Sequence, residues 1–242
     1  AEGIDIASYL GLHMLVEGWR PGRLALGMVL GLLVLLFGGL RYAQSARETP
    51  EYALGRIAQA IEGRDGAELA RYAAVDELLP ASYDEGTAIL ARDIEKLAAL
   101  YPDDWFFRHD TAFMQSYIAA RRAEDLALLR RVLEFYLQPD LTPVSRTDGE
   151  AHWLATECGK FADHYTARVD SVRREEGAAV AQVTVRGDES DYGRLVPPLT
   201  LRLRLEPAED GRYRLTRIEN AEEIFYPVVK GVEDYWTLQG WQ

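Results

Sequence analysis

Leu199-Thr200-Leu201-Arg202-Leu203-Arg204-Leu205 alternates leucine with polar or basic residues. In an extended chain successive side chains point to opposite faces, so the leucines of this run share one side, and Thr200, Arg202 and Arg204 share the other. Such a strand belongs in a sheet with one buried and one wet face, an arrangement typical of antiparallel sheets. Two flanking runs have the same character. Val180, Val183 and Val185 precede it, Tyr213, Leu215 and Ile218 follow it, and the stretches Gly187 to Pro198 and Ala208-Glu209-Asp210-Gly211 separate them. The strand-like pattern begins at about Arg168 and predicts an antiparallel meander.

Ahead of the meander the apolar period is helical. Thr49-Pro50-Glu51 reads as a helix start, with Thr49 as N-cap, Pro50 at the first helical position and Glu51 in the first turn. Tyr52, Leu54, Ile57, Ala58 and Ile61 then share one side up to Gly63. A short second helix follows Asp65 as its cap, with Leu69, Tyr72 and Ala73 facing inward. Further helices are expected over Asp84 to Leu100 and over Thr111 to Gln138, the latter divided near Ala123-Glu124. Thr147-Asp148-Gly149-Glu150 reads as a capping box that opens another helix through Trp153, Leu154, Cys158, Phe161 and Tyr165. Helices first and a meander last predict an α+β domain over residues 49–242. Its aromatic tail from Ala221 is expected to pack back as a helix over Ile224 to Val229, while Tyr235, Trp236 and Trp241 are candidate anchors for a partner.

Leu24 to Leu40, LALGMVLGLLVLLFGGL, holds no charge and no proline and is bounded by Arg23 and Arg41. As a helix it covers about 26 Å, enough to span a bilayer when the arginines snorkel. Residues 21–45 are therefore expected to be a retained anchor. About twenty residues precede the apolar run, a longer stretch than the charged leader of most cleaved signals. Residues 1–20, with Trp19 near one end, are expected to lie in the interface or dock on another chain. Gly27, Gly31 and Gly38 fall on one stripe, where a second membrane helix could approach closely. Arg20 and Arg23 are matched by Arg41 and Arg47, so charge alone leaves the orientation tied.

A formal charge of -12 argues against nucleic acid as a partner. The expected partners are the lipid bilayer and other membrane chains, or further copies of this one. The single cysteine, Cys158, leaves no intrachain disulfide and no cysteine-based zinc site. His13, His109, His152 and His164 are dispersed, Asp188-Glu189-Ser190-Asp191 lacks a calcium-loop pattern, and no cofactor or metal is expected.

The run Thr49 to Leu79, TPEYALGRIAQAIEGRDGAELARYAAVDELL, together with Gly211 to Asn220, GRYRLTRIEN, resembles bacterial membrane-anchored or lipoprotein domains of unknown function with an NTF2-like fold. The resemblance implies helices closing over a curved antiparallel sheet to leave a conical pocket. It also favours placement at the cell membrane with the domain outside the cytoplasm. Isomerases and dehydratases of that fold use an acid or a His/Asp pair in the pocket, and His152 with Asp163 is the nearest such pair here. Three functions follow as expectations. An assembly or interaction subunit comes first, a small-ligand module at the membrane surface second, and an acid/base enzyme third.

Overall fold

The computed structural model describes residues 49–240. The anchor expected over residues 21–45, the segment 1–20, the glycine stripe of Gly27, Gly31 and Gly38, and Trp241 all lie outside the described residues. Among the described residues no helix is long and apolar enough to cross a membrane.

The domain is α+β. Helices α1 (Pro50–Glu62), α2 (Gly66–Tyr72), α3 (Val75–Arg92) and α4 (Ile94–Leu100) are followed by a short 3-10 turn (Trp105–Arg108), the long α5 (Thr111–Leu137) and α6 (Arg146–Ala162). Strands β1 (Tyr165–Glu175), β2 (Ala178–Gly187), β3 (Leu199–Pro207) and β4 (Tyr213–Ile218) come next, and α7 (Ala221–Leu238) closes the chain. The sheet is a simple antiparallel meander in the order β1-β2-β3-β4. Leu199, Leu201, Leu203 and Leu205 are buried, while Thr200, Arg202 and Arg204 lie on the wet side as the alternation requires. Burying a leucine as deeply as Leu201 contributes about 2 kcal/mol.

The two stretches that carry the family resemblance meet in space. The Ala74 N–H donates to the Leu215 carbonyl at 2.8 Å, and Arg214 reaches the carbonyls of Ala70 and Ala73. The helix-covered face of the sheet, including Ala181, Val183, Leu201 and Leu203, belongs to one core with side chains of α1, α3, α5, α6 and α7. A second, smaller core joins the ends of α3 and α4 to the 3-10 turn, the start of α5 and the start of α7, around Ile94, Phe106, Phe107, Met114 and Phe225.

Four local expectations are corrected. The helix expected from Asp84 begins at Val75, with Pro80 in its second turn, and it breaks at Asp93 rather than running to Leu100. Helix α5 is continuous through Ala123-Glu124, because Asp125 and Leu126 are buried there and hold it onto the core. The cap of α6 is Ser145, whose hydroxyl accepts from the Asp148 N–H at 3.0 Å, so Thr147 lies inside the helix and does not cap it. Tyr165 opens β1 and is not helical. Its ring stacks on Phe161 at 4.7 Å across the helix-to-strand junction, and that contact imitates a helical i,i+4 pair in the sequence.

Candidate functional site

The hairpin register decides which loop groups meet. Tyr165 pairs with Gly187, so the residues just beyond them, His164 and Asp188, face each other. The Asp188 N–H donates to the His164 carbonyl at 2.8 Å, and the His164 Nδ1 lies 2.8 Å from Asp188 Oδ2. Ser190 Oγ lies 3.0 Å from the same Nδ1 and donates to Asp188 Oδ1. These bonds, the Ser190 hydroxyl first, pull the Asp188 carboxyl down to about 2. Serine, histidine and aspartate are thus assembled, but not in the bonding order of a nucleophilic triad. Such a triad needs the serine proton aimed at one imidazole nitrogen and the carboxylate on the other. Here both partners address Nδ1, and the serine proton goes to the carboxylate.

The cluster fastens the β2–β3 loop. Ser190 Oγ also accepts from the Gly193 N–H at 3.0 Å, and the His164 ring stacks on Tyr192 at 5.3 Å. A Cβ on Gly187 would run into the Gly193 carbonyl, so the loop doubles back too tightly for any other residue there. In the sequence, Asp188 to Asp191 is only an acidic run without a calcium-loop pattern. The signal that pairs it with His164 is the hairpin register, which the bulge between Val169 and Ser171 obscures.

The pair His152 and Asp163 is not brought together. Both stand on or at the end of α6, and eleven residues of helix separate them by about 16 Å. His152 lies edge-on to Phe135, whereas Asp163 is exposed at the helix end. Asp148 turns away from His152 to Arg131 at 2.6 Å and to the Val144 N–H at 3.1 Å, and these two bonds pull its carboxyl down to about 2. Cys158 is fully buried, and burial pushes its thiol far above the ordinary range. Among the described residues no three His, Cys, Asp or Glu side chains gather as metal ligands.

The tail expectation divides. Phe225, Val228 and Val229 pack into the cores as expected. Tyr235 and Trp236 are only 1% and 4% exposed, so they are not anchors offered to a partner from this fold. The Tyr235 hydroxyl donates to the buried Glu157, which also takes Lys160 at 2.7 Å, and Trp236 stacks on Trp153. Helix α7 can lie this close because Gly231 faces Val196 and the Leu195 carbonyl, where a Cβ would collide.

Leu238, at the end of α7, and Val144, ahead of α6, are exposed, and three further large apolar side chains are exposed elsewhere. Leu100, Trp105 and Phe113 are 53%, 36% and 44% exposed, and all three come from neighbouring segments around the smaller core. The rings of Trp105 and Phe113 are part of a ladder. Trp105 meets His109 edge-on at 5.7 Å, His109 stacks on Phe113 at 4.0 Å, and Phe113 stacks on Tyr117 at 6.0 Å. Beside it, Ala112, Ser116, Ala119, Ala120 and Ala123 form an exposed helix face. The run Thr111 to Ala120 carries no charged residue, in a chain of net charge -12. Isolated surface apolar groups are ordinary, but a contiguous patch marks a contact site. Its signal in the sequence was that uncharged run at helical period.

Comparison with family models, with curated proteins and with solved structures finds no match to this chain.

Proposed function

We propose that this chain is a membrane-tethered assembly subunit. Its apolar segment Leu24 to Leu40 anchors it, and the α+β domain, held outside the cytoplasm, contacts other protein chains. The observation that carries this reading is the ring ladder of Trp105, His109, Phe113 and Tyr117 beside the uncharged run of α5, with Trp105 and Phe113 exposed. The geometry around His164, Asp188 and Ser190 supports the same reading, since it serves to hold a loop.

Purification of the full chain in a mild non-ionic detergent tests the proposal. Recovery in a complex larger than one chain is the expected result, and Gly31→Leu, which fills the glycine stripe of the anchor, should weaken it. A clean monomer at working concentration, indifferent to Gly31→Leu and to Phe113→Glu, would overturn the reading.

A further inference from the structure

The exposed face of α5 matches itself. The inward side of this helix is set by Met114, Asp125, Leu126 and Leu129, all buried. Helical period then turns Ala112, Ser116, Ala119 and Ala123 directly outward, and all four are exposed. Phe113 and Ala120 lie seven residues apart, so they fall on the same flank of that outward face to within about 20°. Glu124, one turn beyond Ala120, continues the flank on one side. His109, stacked on Phe113, continues it on the other.

Phe113 and Ala120 are placed symmetrically along the helix, at equal distances on either side of the midpoint between Ser116 and Tyr117. Glu124 lies beyond Ala120 at one end of the flank, and His109, in the extended link ahead of α5, stacks on Phe113 at the other. A two-fold axis through that midpoint, perpendicular to the helix, would pack α5 antiparallel against its copy and keep each flank on its own side of the axis. The large Phe113 ring would then meet the small Ala120 of the second copy. The His109 imidazole, stacked on Phe113, would then lie toward the end of the second copy's flank that carries Glu124, whose exposed carboxylate pairs with Arg121 at 3.4 Å in the single chain. An isologous interface demands this kind of self-complementarity, in size and in charge. The small residues Ala112, Ser116, Ala119 and Ala123 would let the two axes approach to about 8 Å.

We propose that the exposed face of α5 is a homotypic docking surface, on which a second copy of this chain packs antiparallel about the midpoint between Ser116 and Tyr117. The inference rests on the assembly reading above and names its partner. The uncharged run between Thr111 and Ala120 lets two chains of charge -12 touch without bringing carboxylates of that run face to face.

Single-cysteine crosslinking of the full chain in mild non-ionic detergent tests it, and the buried native Cys158 does not compete. Antiparallel packing sets the two copies of residue 116 side by side but holds the two copies of residue 123 about 20 Å apart along the helix. A disulfide needs Cα atoms within about 7 Å. Ser116→Cys should therefore crosslink to itself on mild oxidation, and Ala123→Cys should not. Adding Phe113→Glu to Ser116→Cys should weaken self-association about thirtyfold while the circular dichroism and thermal transition stay unchanged. Crosslinking at both positions would indicate parallel packing and overturn the proposed geometry. No crosslink at Ser116→Cys in a chain that is still oligomeric, or bound to a different protein, would overturn the α5 inference and leave the assembly reading standing. A monomer throughout would remove both.

Discussion

Buried polar side chains in this domain are held by small, closed sets of partners, so single substitutions have separable consequences. Asn220 is 3% exposed. Its Oδ1 accepts from the Arg202 N–H at 2.8 Å, and its Nδ2 donates to the Thr200 carbonyl at 2.8 Å, tying the start of α7 to β3. Asn220→Ala strips a donor and an acceptor of their partner in a place water reaches poorly, and should cost about 2 to 3 kcal/mol in a urea titration. Tyr235→Phe, which leaves Glu157 still paired with Lys160, should cost less, about 1 kcal/mol. Glu150 behaves differently. Partial burial pushes its carboxyl up to about 7, against the pull of Arg146 and Arg121. A carboxyl whose folded pKa is raised holds its proton more tightly in the fold, so it costs stability as pH rises from its ordinary range, near 4.5, through about 7. Because the group is only partly buried, the cost above pH 7 is discounted to about 1 kcal/mol. Glu150→Gln should raise the urea midpoint at pH 8 and leave it unchanged at pH 4, and an equal gain at both would show that charge is not the cause.

At the level of elements, a sequence pattern was legible wherever one local force decided the outcome. The leucine alternation of β3 was enough to predict its two faces, because a strand's side chains have only two directions to choose from. The start of α1 was also legible, and the Thr49 hydroxyl does accept from the Tyr52 N–H at 3.2 Å. Legibility failed where tertiary contacts overrode local pattern. The bulge between Val169 and Ser171 breaks the alternation of β1, so that strand was harder to recognise than its neighbours, and the pairing of His164 with Asp188 was hidden with it. The tail was aromatic for packing reasons, since Tyr235 and Trp236 fill the space between α6 and the β2–β3 loop. At the start of α6, two residues competed as caps. Ser145→Ala should cost about 1 kcal/mol of stability, whereas Thr147→Ala, inside the first turn, should change it by no more than about 0.5 kcal/mol. Thermal melts of the two variants side by side decide this, and a larger loss for Thr147→Ala would restore the capping box read from Thr147 and Glu150.

For the whole molecule, charge and apolar surface make opposite demands on association. The chain carries -12, so two copies repel each other at long range, and that repulsion weakens as salt shortens the screening length from about 30 Å at 0.01 M to about 8 Å at 0.15 M. A contact through α5 is apolar at its centre, with His109 and Glu124 confined to its edge, so it loses little when salt is added. The wet face of the sheet is the competing surface. It displays Arg168, Arg202, Arg204 and Arg217, and an acidic second copy could dock there by exchanging partners, since Arg168 is held by Asp170, Arg202 by Glu223, Arg204 by Glu206 and Glu219, and Arg217 by Glu85. Salt distinguishes the two surfaces by the sign of its effect. Association through α5 should tighten several-fold between about 0.01 M and 0.15 M salt as repulsion is screened. Association through the arginine face should loosen over the same range, because there the screened force is the attraction. Sedimentation of the full chain in a neutral detergent, across that range and at fixed pH, reads the sign directly. Tightening that Phe113→Glu abolishes and that Arg202→Gln leaves intact is the expected result, and loosening with salt would move the contact from the helix to the sheet.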